Sequence, residues 1–128
     1  SRNRQIELSS IDKSFEDYQD RKKIVKLLCE SLKIKCLFIL HPVFYSSENL
    51  NGKNDNLVKE FTLKYHPNYP KIVDYGYNIF REDSEVIDLS KIFNNKENIF
   101  FDEAHTNKTG SEILGNEILK IILENIYS

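Results

Sequence analysis

From Ile11 to Leu32 the apolar positions fall at Ile11, Phe15, Tyr18, Val25, Leu28, Cys29 and Leu32, the three-and-four spacing that gathers side chains on one side of a helix. Asp12, Lys13, Glu16, Asp17, Arg21, Lys22 and Lys26 fill the other side. The pattern predicts an amphipathic helix over 11–33 with one buried face. Over 35–41 the period changes: Lys-Cys-Leu-Phe-Ile-Leu-His is a short continuous apolar run closed by Pro42. Such a run predicts a strand covered on both faces, as parallel strands are. Residues 46–56 are polar and rich in turn formers. Asn54 or Asp55 is placed to cap a helix carrying Leu57, Val58, Phe61, Leu63 and Tyr65, which Pro67 ends or kinks. Pro70 suits the first turn of a further helix with Ile72, Val73, Gly76, Ile79 and Phe80 on one face. Val86 to Leu89 read as a second short strand, and 90–104 as a long connection with a local apolar cluster. Thr109-Gly-Ser-Glu112 has the spacing of a capping box and precedes a terminal helix of about 15 to 20 residues.

The order helix, strand, helix, helix, strand, connection, helix predicts a parallel sheet with helices packed on it. Two parallel strands are not a stable sheet, because both are edges with unpaired N–H and C=O groups. The pattern therefore predicts half a sheet, completed by another polypeptide or by an N-terminal part of the same domain. The absence of methionine and the opening helix fit a chain that begins within a longer one.

Composition narrows the function classes. With 18 basic against 20 acidic side chains the net charge is −2, which provides no general basic surface for nucleic acid. A chain that is 40% hydrophobic and 30% charged has the makeup of a folded globular protein. The longest apolar run, Cys36 to Leu40, falls far short of the ~20 residues of a membrane span. Cys29 and Cys36, seven apart, match no zinc knuckle and read as two small buried hydrophobes. His41, His66 and His105 are too scattered for a local metal site. The expected chemistry needs no metal or organic cofactor.

The segment Phe101-Asp-Glu-Ala-His-Thr-Asn-Lys-Thr-Gly110 is the most specific part of the chain. Asp102 and His105 stand three apart just before a helix, where a carboxylate can fix one imidazole nitrogen and leave the other free as a base. A bare D-x-x-H is more often a helix cap than a catalytic pair. Here its surroundings resemble the last block of the SGNH (GDSL-type) hydrolases, D-x-x-H-x-N-x-x-G at the start of the terminal helix. Tyr18, the segment Ile39-Leu-His-Pro-Val-Phe-Tyr45 and Val86-Ile-Asp-Leu-Ser-Lys-Ile-Phe93 look like the second half of such a domain in the same order. His41 departs from the Gln common at its position in bacterial members.

That resemblance implies a flavodoxin-like three-layer α/β/α fold, with residues 1–128 as the C-terminal part of a single domain supplying the last strands and the terminal helix. It implies that Asp102 and His105 are acid and base of a Ser-His-Asp triad in an esterase, lipase or deacetylase. His105 would take the serine proton and return it to the leaving alcohol. The substrate would be an ester-bearing small molecule, a lipid or an acylated carbohydrate. Asn107 and Gly110 read as structural. The family's Gly-Asp-Ser block is absent, and no G-x-S-x-G replaces it. The nucleophile and oxyanion hole are thus expected on an N-terminal segment or a complementing chain, with these 128 residues inactive alone.

Gly52-Lys-Asn-Asp55 spells the family's G-x-N-D, but it follows a polar loop rather than a strand, so Asn54 is not assigned to an oxyanion hole. Asp102-Glu-Ala-His105 also spells a DEAH helicase box, which requires a phosphate loop that this chain lacks. Tyr65, Tyr69, Tyr75 and Tyr77 are candidates to stack on a sugar, although packing between two helices explains them more simply. The missing serine motivates an alternative function, a non-catalytic binding or interaction domain without a complete triad.

Overall fold

A computed structural model describes residues 2–126, with side chains described from Leu8 onward. In chain order these form α1 (Arg2–Leu32), β1 (Phe38–Leu40), a single 3₁₀ turn (Phe44–Ser46), α2 (Lys53–Tyr65), α3 (Tyr69–Arg81), β2 (Val86–Asp88) and α4 (Lys108–Ile126). β1 and β2 pair in parallel, with Phe38 opposite Val86 and Leu40 opposite Asp88.

The described residues are mostly helical, four helices with one two-stranded sheet, and this corrects the expected flavodoxin-like three-layer α/β/α fold. The physical reason is the extent of pairing. Each strand contributes three residues to one ladder, too little surface to carry a helical layer on either face. β1 is not covered on both faces as its apolar run suggested, since Phe38 and Ile39 are only half-buried. Ladder alternation turns the backbone groups of Ile39 away from β2, leaving β1 with an edge that no strand pairs among the described residues.

The core lies instead around the long connection. Phe44, Leu50, Val58, Leu89, Phe93, Ile99, Phe100 and Leu114 form one buried cluster. Its centre is aromatic: Phe100 meets Phe44 and Phe93 edge-on, at centroid distances of 5.8 and 5.4 Å. The segment 90–104, expected as a connection with a local apolar cluster, thus supplies the middle of the core.

α1 packs on α3 through Phe15 and Tyr18, whose rings meet Phe80 edge-on at 5.3 and 5.0 Å. The expected buried face holds only there: Val25, Leu28 and Leu32 are exposed, together with Ile24 and Leu27. Lys22, placed on the polar side by its sequence position, is buried. Its ammonium donates to Asp83 at 2.7 Å and Glu85 at 3.1 Å, just before β2. The cysteines also differ from expectation. Cys29 and Cys36 are joined in a disulfide, with Cα atoms 6.3 Å apart, because the chain doubles back after α1 and brings the start of the β1 run against the helix.

Helix starts are displaced from their expected caps. α2 begins after Gly52, and Asp55 accepts hydrogen bonds from the Gly52 N–H (2.9 Å) and the Asn98 N–H (3.0 Å). The G-x-N-D spelling is therefore a helix cap clasped to the 95–98 turn. α4 begins after Asn107 rather than at the Thr109 capping box, and Asn107 Oδ1 accepts the Gly110 N–H at 2.9 Å.

Candidate active site

The loop between Phe100 and Thr106 carries the two residues singled out from sequence. It is closed at its base by an antiparallel bridge between Phe100 and Thr106, and the Phe101 N–H donates to the His105 carbonyl at 2.8 Å. Further out, the Phe44 N–H donates to the Glu103 carbonyl (2.9 Å) and the Thr62 hydroxyl to the Glu103 carboxylate (2.8 Å). These bonds tie the loop through Glu103 to α2 and the 3₁₀ turn.

Within it, His105 Nδ1 lies 2.9 and 3.0 Å from the two carboxylate oxygens of Asp102. Asp102 Oδ1 also accepts the N–H groups of Ala104 (2.8 Å) and His105 (2.7 Å). Burial acts to raise the Asp102 carboxyl, but the bonds from the Ala104 N–H, the His105 ring and the His105 N–H outweigh it and hold the group below the usual carboxylate range. An ionised Asp102 accepts from an Nδ1–H, and in the neutral ring that tautomer leaves the other nitrogen, Nε2, as an acceptor. No hydrogen bond is made by Nε2 among the described residues, and the side chain is 78% exposed. Chemically, such an arrangement can hold an imidazole in one orientation and leave its second nitrogen open to accept a proton.

Among the described residues no serine hydroxyl is bonded to His105 Nε2. Ser46 donates to the Val43 and Ser90 carbonyls, Ser47 to the Val43 carbonyl, and the Ser90 hydroxyl accepts from Arg81. Ser111 bonds the Thr106 hydroxyl. None of these hydroxyls is directed to His105 Nε2.

Asn107 and Gly110 set the position of the loop relative to α4. Asn107 donates its N–H to the Ile99 carbonyl (2.7 Å) and its side-chain amide to the Asn98 carbonyl (2.6 Å), while capping α4 with its oxygen. A side chain on Gly110 would run into Ile99 and Thr106.

One feature near Asp102 escaped the sequence patterns. Asn54, Leu57, Val58, Phe61, Phe100, Phe101 and Asp102 line an open groove of about 430 Å³. Phe101 closes the apolar run Ile99-Phe100-Phe101 and Leu57 and Phe61 read as an ordinary helix stripe, so only their exposure in the folded chain marks them. Of the four candidate tyrosines, Tyr65 is exposed, while Tyr69, Tyr75 and Tyr77 are engaged within the fold. Tyr75 donates to Asp12, Tyr77 to the His41 carbonyl, and Tyr45 meets Tyr69 edge-on at 6.0 Å. Burial, with Tyr69 close by, pushes the Tyr77 hydroxyl up to about 12.

Among the described residues no helix is long and apolar enough to cross a membrane, and no three His, Cys, Asp or Glu side chains cluster as metal ligands. No family model, curated protein or solved structure matches the chain.

Proposed function

We propose that the chain supplies the base and orienting carboxylate of a serine ester hydrolase of the SGNH type. The observation that carries this reading is the Asp102–His105 pair, with Nδ1 against an ionised carboxylate and Nε2 open. In the reaction His105 Nε2 accepts the proton of an attacking serine hydroxyl as oxygen bonds to the ester carbonyl carbon. The imidazolium then returns that proton to the leaving alcohol, and a water repeats the cycle to release the acid. Asp102 keeps the ring in place and stabilises the imidazolium. The serine and the oxyanion donors come from another polypeptide segment. The edge of β1 that no strand pairs among the described residues and the uncovered apolar face of α1 support such a complementing segment.

In the assembled hydrolase, His105→Ala is expected to lower ester turnover by a factor on the order of 10³ or more, and Asp102→Asn by a similar factor, without unfolding the protein. Wild-type turnover in His105→Ala would sink the assignment. The 128-residue chain alone is expected to hydrolyse p-nitrophenyl acetate no faster than free imidazole does. A steady rate well above that background would place the nucleophile inside the chain.

A further inference from the structure

We infer that the groove between α2 and the Phe100–Asp102 segment seats the acyl group of the ester, and that this group is neutral and apolar, several carbons long. This rests on the reading of Asp102 and His105 as the pair that acts on an ester. The groove reaches that pair at Asp102, which is one of its walls. Phe101 precedes Asp102 in the chain, and its N–H is bonded to the carbonyl of His105, so the residues that bear the ring and the imidazole are paired across one closed loop. Leu57 and Phe61 stand one turn apart on α2 and continue the same wall.

Three observations specify the occupant. Leu57, Phe61 and Phe101 are 56%, 49% and 75% exposed, a patch of large apolar side chains left facing water. The lining contains no basic side chain, so a carboxylate on the acyl group would meet no counter-charge and would face Asp102. Apart from Asp102, already bonded to the His105 ring and two N–H groups, Asn54 is the only side chain there able to bond a hydroxyl, too few for a sugar. A straight or branched hydrocarbon acyl chain satisfies all three. Burying each methylene is expected to favour binding by about fourfold.

The test is a titration of the isotopically labelled 128-residue chain, followed by NMR, with methyl hexanoate, methyl acetate and sodium hexanoate. Methyl hexanoate is expected to shift the resonances of Leu57, Val58, Phe61 and Phe101, and to bind at least tenfold more tightly than either of the other two. Leu57→Ala and Phe101→Ala change exposed side chains, and each should weaken methyl hexanoate several-fold while leaving the rest of the spectrum in place. Equal affinity for methyl acetate, shifts that map away from the groove, or full affinity in the double variant would each overturn the inference. His105→Ala separates the two readings. It should leave methyl hexanoate affinity within about twofold while abolishing turnover in the assembled hydrolase. Retained turnover with a filled groove sinks the catalytic pair alone, and lost turnover with an empty groove sinks the acyl site alone.

Discussion

Gly110 occupies a position that tolerates no larger side chain. An added Cβ would press on the side chains of Ile99 and Thr106, which flank the Phe100–Thr106 loop, and lie 3.2 Å from the Ile99 carbonyl oxygen. Gly110→Ala is therefore expected to destabilise the fold by about 1–3 kcal/mol, read from the urea midpoint. Asn107→Ala, which removes the α4 cap and the bond to Asn98, should cost about 1–2 kcal/mol. At this scale much was legible in the sequence. Asp102 and His105 are three residues apart, so their meeting needs only a local turn, and the structural reading of Asn107 and Gly110 likewise depends on neighbours in the chain. Lys22 and Phe101 were not legible. The burial of the first depends on Asp83 and Glu85, some sixty residues on, and the exposure of the second on the placement of α2.

Among elements, α1 is fixed to the approach of β2 by one buried ion pair. For Asp83, burial acts upward but the Lys22 bond, the Glu85 N–H and Gln19 together hold the carboxyl below its usual value. For Lys22, burial acts downward, but Asp83 and Glu85 outweigh it and raise the ammonium. Asp83 thus adds stability that is complete above the unfolded carboxylate value of about 3.9 and is lost as pH falls through the lower folded value. Lys22 adds stability that is complete below its unfolded value and is lost as pH rises through the higher folded one. Lys22→Met leaves a buried carboxylate without its cation and is expected to cost about 3 kcal/mol at pH 7. The gap between wild type and variant should narrow as pH falls, since Asp83 protonates first in the variant, where it has lost its cation, and in the wild type only at its lowered folded value. Urea unfolding at pH 7 and pH 3 measures this, and a gap that widens in acid would contradict it. The helices themselves were readable from periodicity and proline, because amphipathic spacing and the first-turn preference of Pro70 are local. Strand coverage was not: an apolar run looks the same whether a neighbour covers it or not.

Over the whole molecule, the alternation of elements correctly implied a parallel pair but overstated the sheet, since pairing stops after three residues on each strand. The disulfide was invisible for a related reason, as a spacing of seven says nothing about whether the chain turns back on itself. Reduction, or Cys29→Ser with Cys36→Ser, is expected to lower stability by about 2 kcal/mol, the loop being short. Thermal unfolding with and without reductant measures it, and an unchanged midpoint would refute it. The same disulfide bears on the order of assembly. Lys22 and Asp83 are 61 residues apart, and the β1–β2 ladder likewise spans α2 and α3, so both contacts carry the entropic cost of closing a long loop. The Cys29–Cys36 link spans seven residues, so an oxidised chain starts its search with the end of α1 already held beside the β1 segment. Refolding of the oxidised chain should accordingly be limited by the crossover through α2 and α3, and that of the reduced chain by finding β1 as well.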